Sequence, residues 1–318
     1  MPSSVQLKIL IKKFDSKLDD IIFEDLKILK DIKKYVIRSG GKRLRPLTHY
    51  FFSQILNYTG EHWLDVGAIA ELIHAASLLH DDVVDKAETR RGKDTIGKLY
   101  GNKSAILAGD FLLACGIEHL NKLNNPSLMS SFTKVIRDLS VAELLQMQWE
   151  KNPKISRVEY EKIIYGKTAS LFGATCETAG ILAEESASSI EALKNFGNSM
   201  GRLFQIRDDY IDYFSSNDES GKDQYKDFQN GLFTYPIIIL REHSTKKETK
   251  SIHAVFAQET RDKPEIEFIT ELFDKYRIQE KIQVEIQNEI KELLQYLEKF
   301  QTSDARDLII ERIGSLGV

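Results

Sequence analysis

Apolar residues recur at i, i+3, i+4 and i+7 along most of this chain, and period-2 alternation bounded by hairpin turns is hard to find. That pattern predicts an all-α protein. Helices are expected at about 62–86, 102–122, 127–149, 157–182, 187–214 and 232–243, with more toward the C-terminus, ending near Arg312. Proline is scarce, at Pro2, Pro46, Pro126, Pro153, Pro236 and Pro264. Gly40-Gly41 reads as a helix stop, and Pro46 as a first helical residue after a short basic loop. Residues 243–263 are polar and charged and read as a surface connection. Ser215 to Asn230 is rich in Ser, Asp, Gly, Lys and Asn. A long break of that kind inside a compact domain often serves as a lid. No fixed-period repeat and no Ser/Gly linker interrupts residues 1–318, which are read as a single domain.

Composition narrows the field. A chain of 318 residues can bury a large core. A formal charge of −4 and a pI near 6.0 give no global reason to bind nucleic acid. Cys115 and Cys176 cannot form a disulfide framework, and no C-x-x-C pair exists, so a reducing cytoplasm is expected. Met1 to Lys13 lacks the continuous apolar stretch and cleavage site of a signal peptide. No run approaches the roughly 18 apolar residues of a membrane span.

Two aspartate clusters of one design carry the chemistry. They are Asp81-Asp82-Val83-Val84-Asp85 and Asp208-Asp209-Tyr210-Ile211-Asp212, each reading D-D-x-x-D at the end of an apolar helical run. Positions i, i+1 and i+4 share one side of a helix, so each cluster fans its carboxylates one way. Crowded carboxylates repel and need cations. Hard oxygen donors that leave room for water and phosphate suit Mg²⁺. Two such fans facing each other would clamp a diphosphate through bridging ions.

An acidic triplet on a helix is most often a solvated face, and Asp19, Asp20 and Glu24, with no paired arginines following, are assigned to surface. The first D-D-x-x-D differs because Thr89-Arg90-Arg91-Gly92-Lys93 follows it, and Arg pairs with phosphate in a planar, bidentate way. Gly197 and Gly201, ahead of the second cluster, point to close helix packing that would bury its helix. Gly40-Gly41-Lys42-Arg43-Leu44-Arg45-Pro46 places three cations within four residues at a helix start, where anions are favoured. His74 lies two turns before Asp81 on the same face. Gly166-Lys167-Thr168 looks like the end of a nucleotide-binding loop, but Glu161 stands where that motif needs glycine and the lead-in is helical.

Together these residues resemble the trans-isoprenyl diphosphate synthases. The likeness covers roughly 35–240 and is carried by GGKRLRP at 40–46, ELIHAASLLHDDVVD at 71–85, ETRRG at 88–92, GKTASLF at 166–172, FQIRDDYID at 204–212 and GKDQYKDFQNGLFTYP at 221–236. It implies an isoprenoid synthase-type helical bundle around a deep central cavity, usually a homodimer. Lys42, Arg45, His74 and Arg91 would hold isopentenyl diphosphate, and Arg90, Lys167, Thr168, Gln205 and Lys222 the allylic diphosphate. Asp81, Asp85 and Asp208 would ligate Mg²⁺ directly, with Asp82, Asp209 and Asp212 acting through water or supporting the shell. Two departures stand out. Leu232 occupies a position where the family often has lysine, and Ala142 one where glycine is common.

The implied reaction breaks the allylic C–O bond, adds isopentenyl diphosphate to the allylic cation and loses a proton, with no protein nucleophile. Product length would depend on the cavity below the first cluster. Ala76 and Ser77 are small, where bulky aromatics in the family shorten the product. Phe132, Ile136, Leu139, Glu143 and Gln146 form a helical stripe, and Phe132 would lie about 21 Å below Gln146 as a floor. A long-chain, octaprenyl-type synthase is expected, with a geranylgeranyl diphosphate synthase as the alternative. The complete second D-D-x-x-D and the GGKRLRP segment argue against a terpene cyclase or a non-catalytic partner subunit.

Overall fold

The computed structural model describes residues 4–38, 43–150, 152–215 and 224–318, and they are almost wholly helical. The Gly40-Gly41 stop, Lys42, Lys222 and residues 216–223 of the expected lid lie outside the described residues. None of the described helices is long and apolar enough to cross a membrane. The chain divides into two compact units, one of 1–137, 171–197 and 300–309, the other of 138–170, 198–299 and 310–318.

The first unit is built on α4 (His62–Val84), against which α1 (Ser4–Ile21), α3 (Leu44–Ile55) and α6 (Asn102–Lys122) pack. Helix α4 buries Val66, Ala68, Ile69, Ala70, Leu72, Ile73, Ala76 and Leu79, nearly all round its axis, as a central helix must. Gly67 lets α1 approach, since a Cβ there would sit 2.6 Å from the Phe14 ring. Helices α2 (Lys27–Arg38) and α5 (Ile96–Tyr100), the first part of α7 (Pro126–Trp149), most of α9 (Ser170–Leu182) and the start of α10 (Ala187–Phe214) complete the unit. The expected close approach at Gly197 is present, since a Cβ there would lie 2.4 Å from the Phe172 carbonyl oxygen.

After α4 the chain makes an antiparallel hairpin of β1 (Thr89–Arg90) and β2 (Lys93–Asp94). Arg91 (φ 52°) and Gly92 (φ 73°) are both left-handed, as a tight two-residue turn requires. Two-residue strands are too short to show alternation, so this hairpin left no periodic signal.

The second unit holds the end of α7, α8 (Arg157–Ile164), a π-helical turn (Tyr165–Ala169) and the end of α10. It also holds α11 (Lys226–Gln229), α12 (Tyr235–His243), α13 (Lys246–Phe256), α14 (Lys263–Tyr276) and α15 (Ile278–Leu297), with the end of α16 (Asp304–Gly314). Helix α12 packs on α8, α14 and α15, and α15 turns Ile278, Ile282, Ile286, Ile290, Leu293 and Leu297 inward at helical spacing.

Several expected boundaries need correction. The helix expected over 157–182 is three pieces, because the π turn widens the ladder at Tyr165–Ala169. Helix α12 starts at Tyr235, since the Pro236 ring would clash with the carbonyl of residue 232 in a longer helix. Helix α3 starts at Leu44, two residues before Pro46, which costs no bond in a first turn. The supposed surface connection contains α13, started by a Thr245–Glu248 capping box and anchored by Ile252 and Phe256. Its polar majority hid that short apolar face.

His49 is fully buried in α3. Its Nδ1 donates to the Thr175 carbonyl at 2.9 Å, while Nε2 is buried without a partner. Burial pulls its pKa down to about 4, with the Thr175 bond opposing. The unfolded chain therefore takes up a proton near pH 6.5 that the native state refuses until about pH 4. Stability supplied by neutral His49 should be complete above pH 6.5 and fall by roughly 3 kcal/mol on the way to pH 4. Urea unfolding at several pH values should show that decline, and His49→Gln should flatten it. An equal slope in the variant would exclude His49 as the cause.

Candidate active site

Both aspartate clusters close their helices at the C-terminal end, where the helix dipole repels anions, and neither α4 nor α10 carries a basic residue in its last turn. A local rule broken twice marks function.

In the first unit Asp81 is half-buried, Asp85 is exposed and Asp82 is 4% exposed. Asp82 Oδ1 accepts from Arg90 Nε at 2.6 Å, and Oδ2 is buried without a partner. Burial raises the Asp82 pKa, and Arg90 opposes it. The hairpin thus ties its first arginine to the cluster.

Arg45, in the first turn of α3, lies 4.7 Å over the Phe172 ring, and its Nε is buried without a hydrogen-bond partner. Loss of hydration lowers its pKa to about 10, with Glu71 opposing and Arg91 adding to the fall. His74 is held well below its usual pKa, first by loss of hydration, then by the charges of Arg45, Arg91, Arg90 and Arg43. It is therefore neutral near pH 7 and can still donate one N–H. Arg45, His74, Arg90 and Arg91 are close enough to feel one another's charge, which is an arrangement fitted to a phosphate-type anion. Arg43, counted in the sequence among the basic residues of that loop, turns inward instead. It donates to Glu71 at 2.6 Å, to Asp15 at 2.8 Å and to the Ile37 carbonyl at 3.0 Å.

In the second unit the GKT segment lies in the π turn. Lys167 Nζ is 2.8 Å from Glu143 Oε1 and donates to Gln146 Oε1 at 2.9 Å. These two partners were expected in the stripe of the cavity wall. Thr168 Oγ1 donates to Gln205 Oε1 at 2.8 Å, and Gln205 Nε2 donates to Asp209 Oδ1 at 2.9 Å. Asp209 Oδ2 also accepts from Tyr160 OH at 2.6 Å and Tyr235 N–H at 3.1 Å. Burial raises the Asp209 pKa to about 6; these bonds oppose it and Asp208 adds to it. Asp212 accepts from the main-chain N–H groups of Lys226 and Asp227, both at 3.2 Å, and so caps α11. Asp208 stays half-buried. Tyr160 left no sequence signal, because its partner lies 49 residues away. Gly166 did: a Cβ there would lie 2.4 Å from the Asp138 carbonyl oxygen and 2.5 Å from Ala142 Cβ, so α7 leaves no room for a side chain at 166.

The three buried aspartates, Asp82, Asp209 and Asp212, each accept hydrogen bonds from the protein. Asp81, Asp85 and Asp208 are the more accessible three. Among the described residues no three His, Cys, Asp or Glu side chains converge on one metal position. The donors fit Mg²⁺ in the mode where one or two carboxylates and substrate phosphates hold an ion that keeps its waters.

The residues expected to set chain length have different settings. Ala76 is buried in the core with Leu72, Leu79, Ala105, Ala108 and Leu112. Ser77 is half-buried and donates to the His74 carbonyl at 2.9 Å. Phe132 is fully buried. The control cluster of Asp19, Asp20 and Glu24 is exposed, as expected.

The polyprenyl synthetase family model matches residues 26–273. The chain is 31% identical over 234 residues to octaprenyl diphosphate synthase of Escherichia coli (strain K12), covering 74% of this chain and 72% of that protein. A solved decaprenyl diphosphate synthase from Rhodobacter capsulatus superposes with a TM-score of 0.91 at 26% identity, covering 98% of this chain and 97% of that one. Geranylgeranyl pyrophosphate synthetase from Pyrococcus horikoshii Ot3 does so with a TM-score of 0.89 at 26% identity and the same coverage.

Removing the inward arginine should expose its structural part. Arg43→Met leaves Glu71 and Asp15 facing a buried gap and should cost roughly 3–5 kcal/mol in denaturant unfolding. Adding Glu71→Gln should restore part of that loss. Additive losses would show that the pair does not act as a unit.

Proposed function

This chain belongs to the polyprenyl synthetase family and is a prenyltransferase, and we propose that it condenses isopentenyl diphosphate with an allylic diphosphate, in a Mg²⁺-dependent reaction, to build a long all-trans polyprenyl diphosphate of octaprenyl type. The observation that carries this reading is the group of Arg45, His74, Arg90 and Arg91 gathered at the first aspartates, with an orphaned buried Arg45 Nε.

Arg45, Arg91 and neutral His74, with Lys42, would grip isopentenyl diphosphate and hold its double bond toward the allylic carbon. Arg90, Lys167 and Gln205 would hold the allylic diphosphate. As the C–O bond breaks, these cations and N–H donors offset the negative charge that grows on the leaving group. Mg²⁺ held by Asp81, Asp85 and Asp208 would add to that charge neutralisation. The double bond then attacks the allylic carbon, and loss of a proton, with departing diphosphate as a base, restores an alkene. Leu232 supplies no charge where the family often has lysine, so Lys167 and Arg90 carry more of the allylic grip.

The small residues at Ala76 and Ser77 support a long product, as does the octaprenyl relative. The geranylgeranyl synthetase of matching fold favours the shorter reading. A bulky residue at Ala76 would overpack the core by about 1–3 kcal/mol, so half-buried Ser77 is the cleaner probe.

Incubation with Mg²⁺, labelled isopentenyl diphosphate and a panel of allylic primers, followed by chromatography, should yield products near octaprenyl length. Accumulation of geranylgeranyl diphosphate as end product would replace the long-chain reading, and no elongation at all would refute the assignment. Asp81→Ala and Asp208→Ala should each lower kcat by a factor on the order of 10²–10³. Turnover near wild type would remove these residues from the metal site. Ser77→Tyr should shift the product distribution to shorter chains; an unaltered distribution would place the length determinant elsewhere.

A further inference from the structure

Asp209 is only 3% exposed, and both its oxygens accept hydrogen bonds from the protein. Oδ1 accepts from Gln205 Nε2, and Oδ2 from the Tyr160 hydroxyl and the Tyr235 N–H. An ionised carboxylate can only accept. Gln205 must therefore turn its amide nitrogen to Asp209, which leaves its Oε1 facing Thr168. Thr168 has one hydroxyl proton, and that proton goes to Gln205 Oε1 at 2.8 Å. Donors on both sides point toward Asp209, and the chain of bonds ends on the π turn that carries Lys167. In this state the Thr168 hydroxyl has no proton to give a phosphate. Gln205 keeps a second amide N–H, and Lys167 keeps a third ammonium proton beyond those toward Glu143 and Gln146.

Tyr160 is itself firmly held. Its ring is buried and lies 5.7 Å from that of Tyr235, and Arg157 stacks on Tyr235 at 5.2 Å. Arg157 and Arg202 both pair with Glu285, and Arg202 also pairs with Glu161 on α8. The hydroxyl that meets Asp209 thus sits on a braced framework.

We propose that Tyr160 is a positioning residue for the allylic-diphosphate half-site, fixing Asp209 so that Gln205 and the π turn present the amide N–H of Gln205 and the ammonium of Lys167, and not the Thr168 hydroxyl, as phosphate donors. The inference rests on the proposed function and deepens it. Tyr160 would act through Asp209, the residue its hydroxyl meets, with no substrate contact of its own required.

Tyr160→Phe removes the hydroxyl and keeps the ring. KM for the allylic primer should rise about tenfold, with KM for isopentenyl diphosphate unchanged. The Tyr160→Phe/Gln205→Leu double variant should lose no more than Gln205→Leu alone, because both act through one chain of bonds. Thr168→Val breaks the same chain of bonds at Gln205 Oε1, so it should raise the allylic KM without adding to the loss of Gln205→Leu when the two are combined. Unfolding in the presence of inorganic pyrophosphate and Mg²⁺ gives a readout free of turnover: the ligand-induced rise in Tm should be smaller for Tyr160→Phe than for wild type.

A wild-type allylic KM in Tyr160→Phe, an equal change in both KM values, or additive losses in the double variant would overturn the proposal. A loss on Thr168→Val that adds to that of Gln205→Leu would restore Thr168 as a direct donor and overturn the donor assignment. If wild-type protein elongated nothing, the function would fall. The pyrophosphate shift would then still decide whether Tyr160 governs this anion site.

Discussion

Carboxylates gathered at the C-terminal end of a helix meet two repulsions, from one another and from the helix dipole. This protein imposes that arrangement twice, on α4 and on α10, and much of the surrounding chemistry offsets it. Arg90 reaches Asp82 from a hairpin whose turn needs two left-handed residues. Tyr160, Gln205 and the Tyr235 N–H surround Asp209, and two main-chain N–H groups of α11 hold Asp212. The buried aspartate of each adjacent pair, Asp82 and Asp209, is anchored by protein, and its neighbour, Asp81 or Asp208, is the more accessible of the two.

The basic residues show the matching division. Arg43 and Arg45 are two positions apart, yet one is spent on Asp15 and Glu71 while the other stacks on Phe172 with an unpaired Nε. The inward arginine anchors the start of α3 and so sets where its neighbour points. His74 stays neutral among arginines, which keeps an N–H donor available without adding to the local positive charge. A prenyltransferase that ionises an allylic diphosphate needs this separation. Arg43 completes an ion-paired support inside the protein, while Arg45 two residues on keeps a buried Nε without a partner.

Much of the helical plan was legible because long helices repeat their pattern many times. Helices α6 and α10 begin and end at the expected residues, 102–122 and 187–214. What escaped was short or masked. The π turn has five residues and no period of its own, the hairpin strands have two residues each, and α13 shows only a narrow apolar face in a polar run. The site residues were legible where they sit close together in sequence, as in the two D-D-x-x-D clusters and ETRRG. Tyr160 was not, because a lone tyrosine on a helix looks like any other until its hydroxyl meets Asp209.

The sequence alone determined the all-α architecture, the two acidic clusters, the basic segments beside them and the family they mark. Periodicity and tight motifs are local properties, complete within a few turns of chain. The tertiary structure decided which aspartates are anchored and which are accessible, which arginine faces inward, and which way the Gln205 amide points. Those outcomes depend on partners 28 to 49 residues distant for Arg43 and Asp209. Burial removes water as the alternative partner, so only the folded chain settles where each proton and each charge must go.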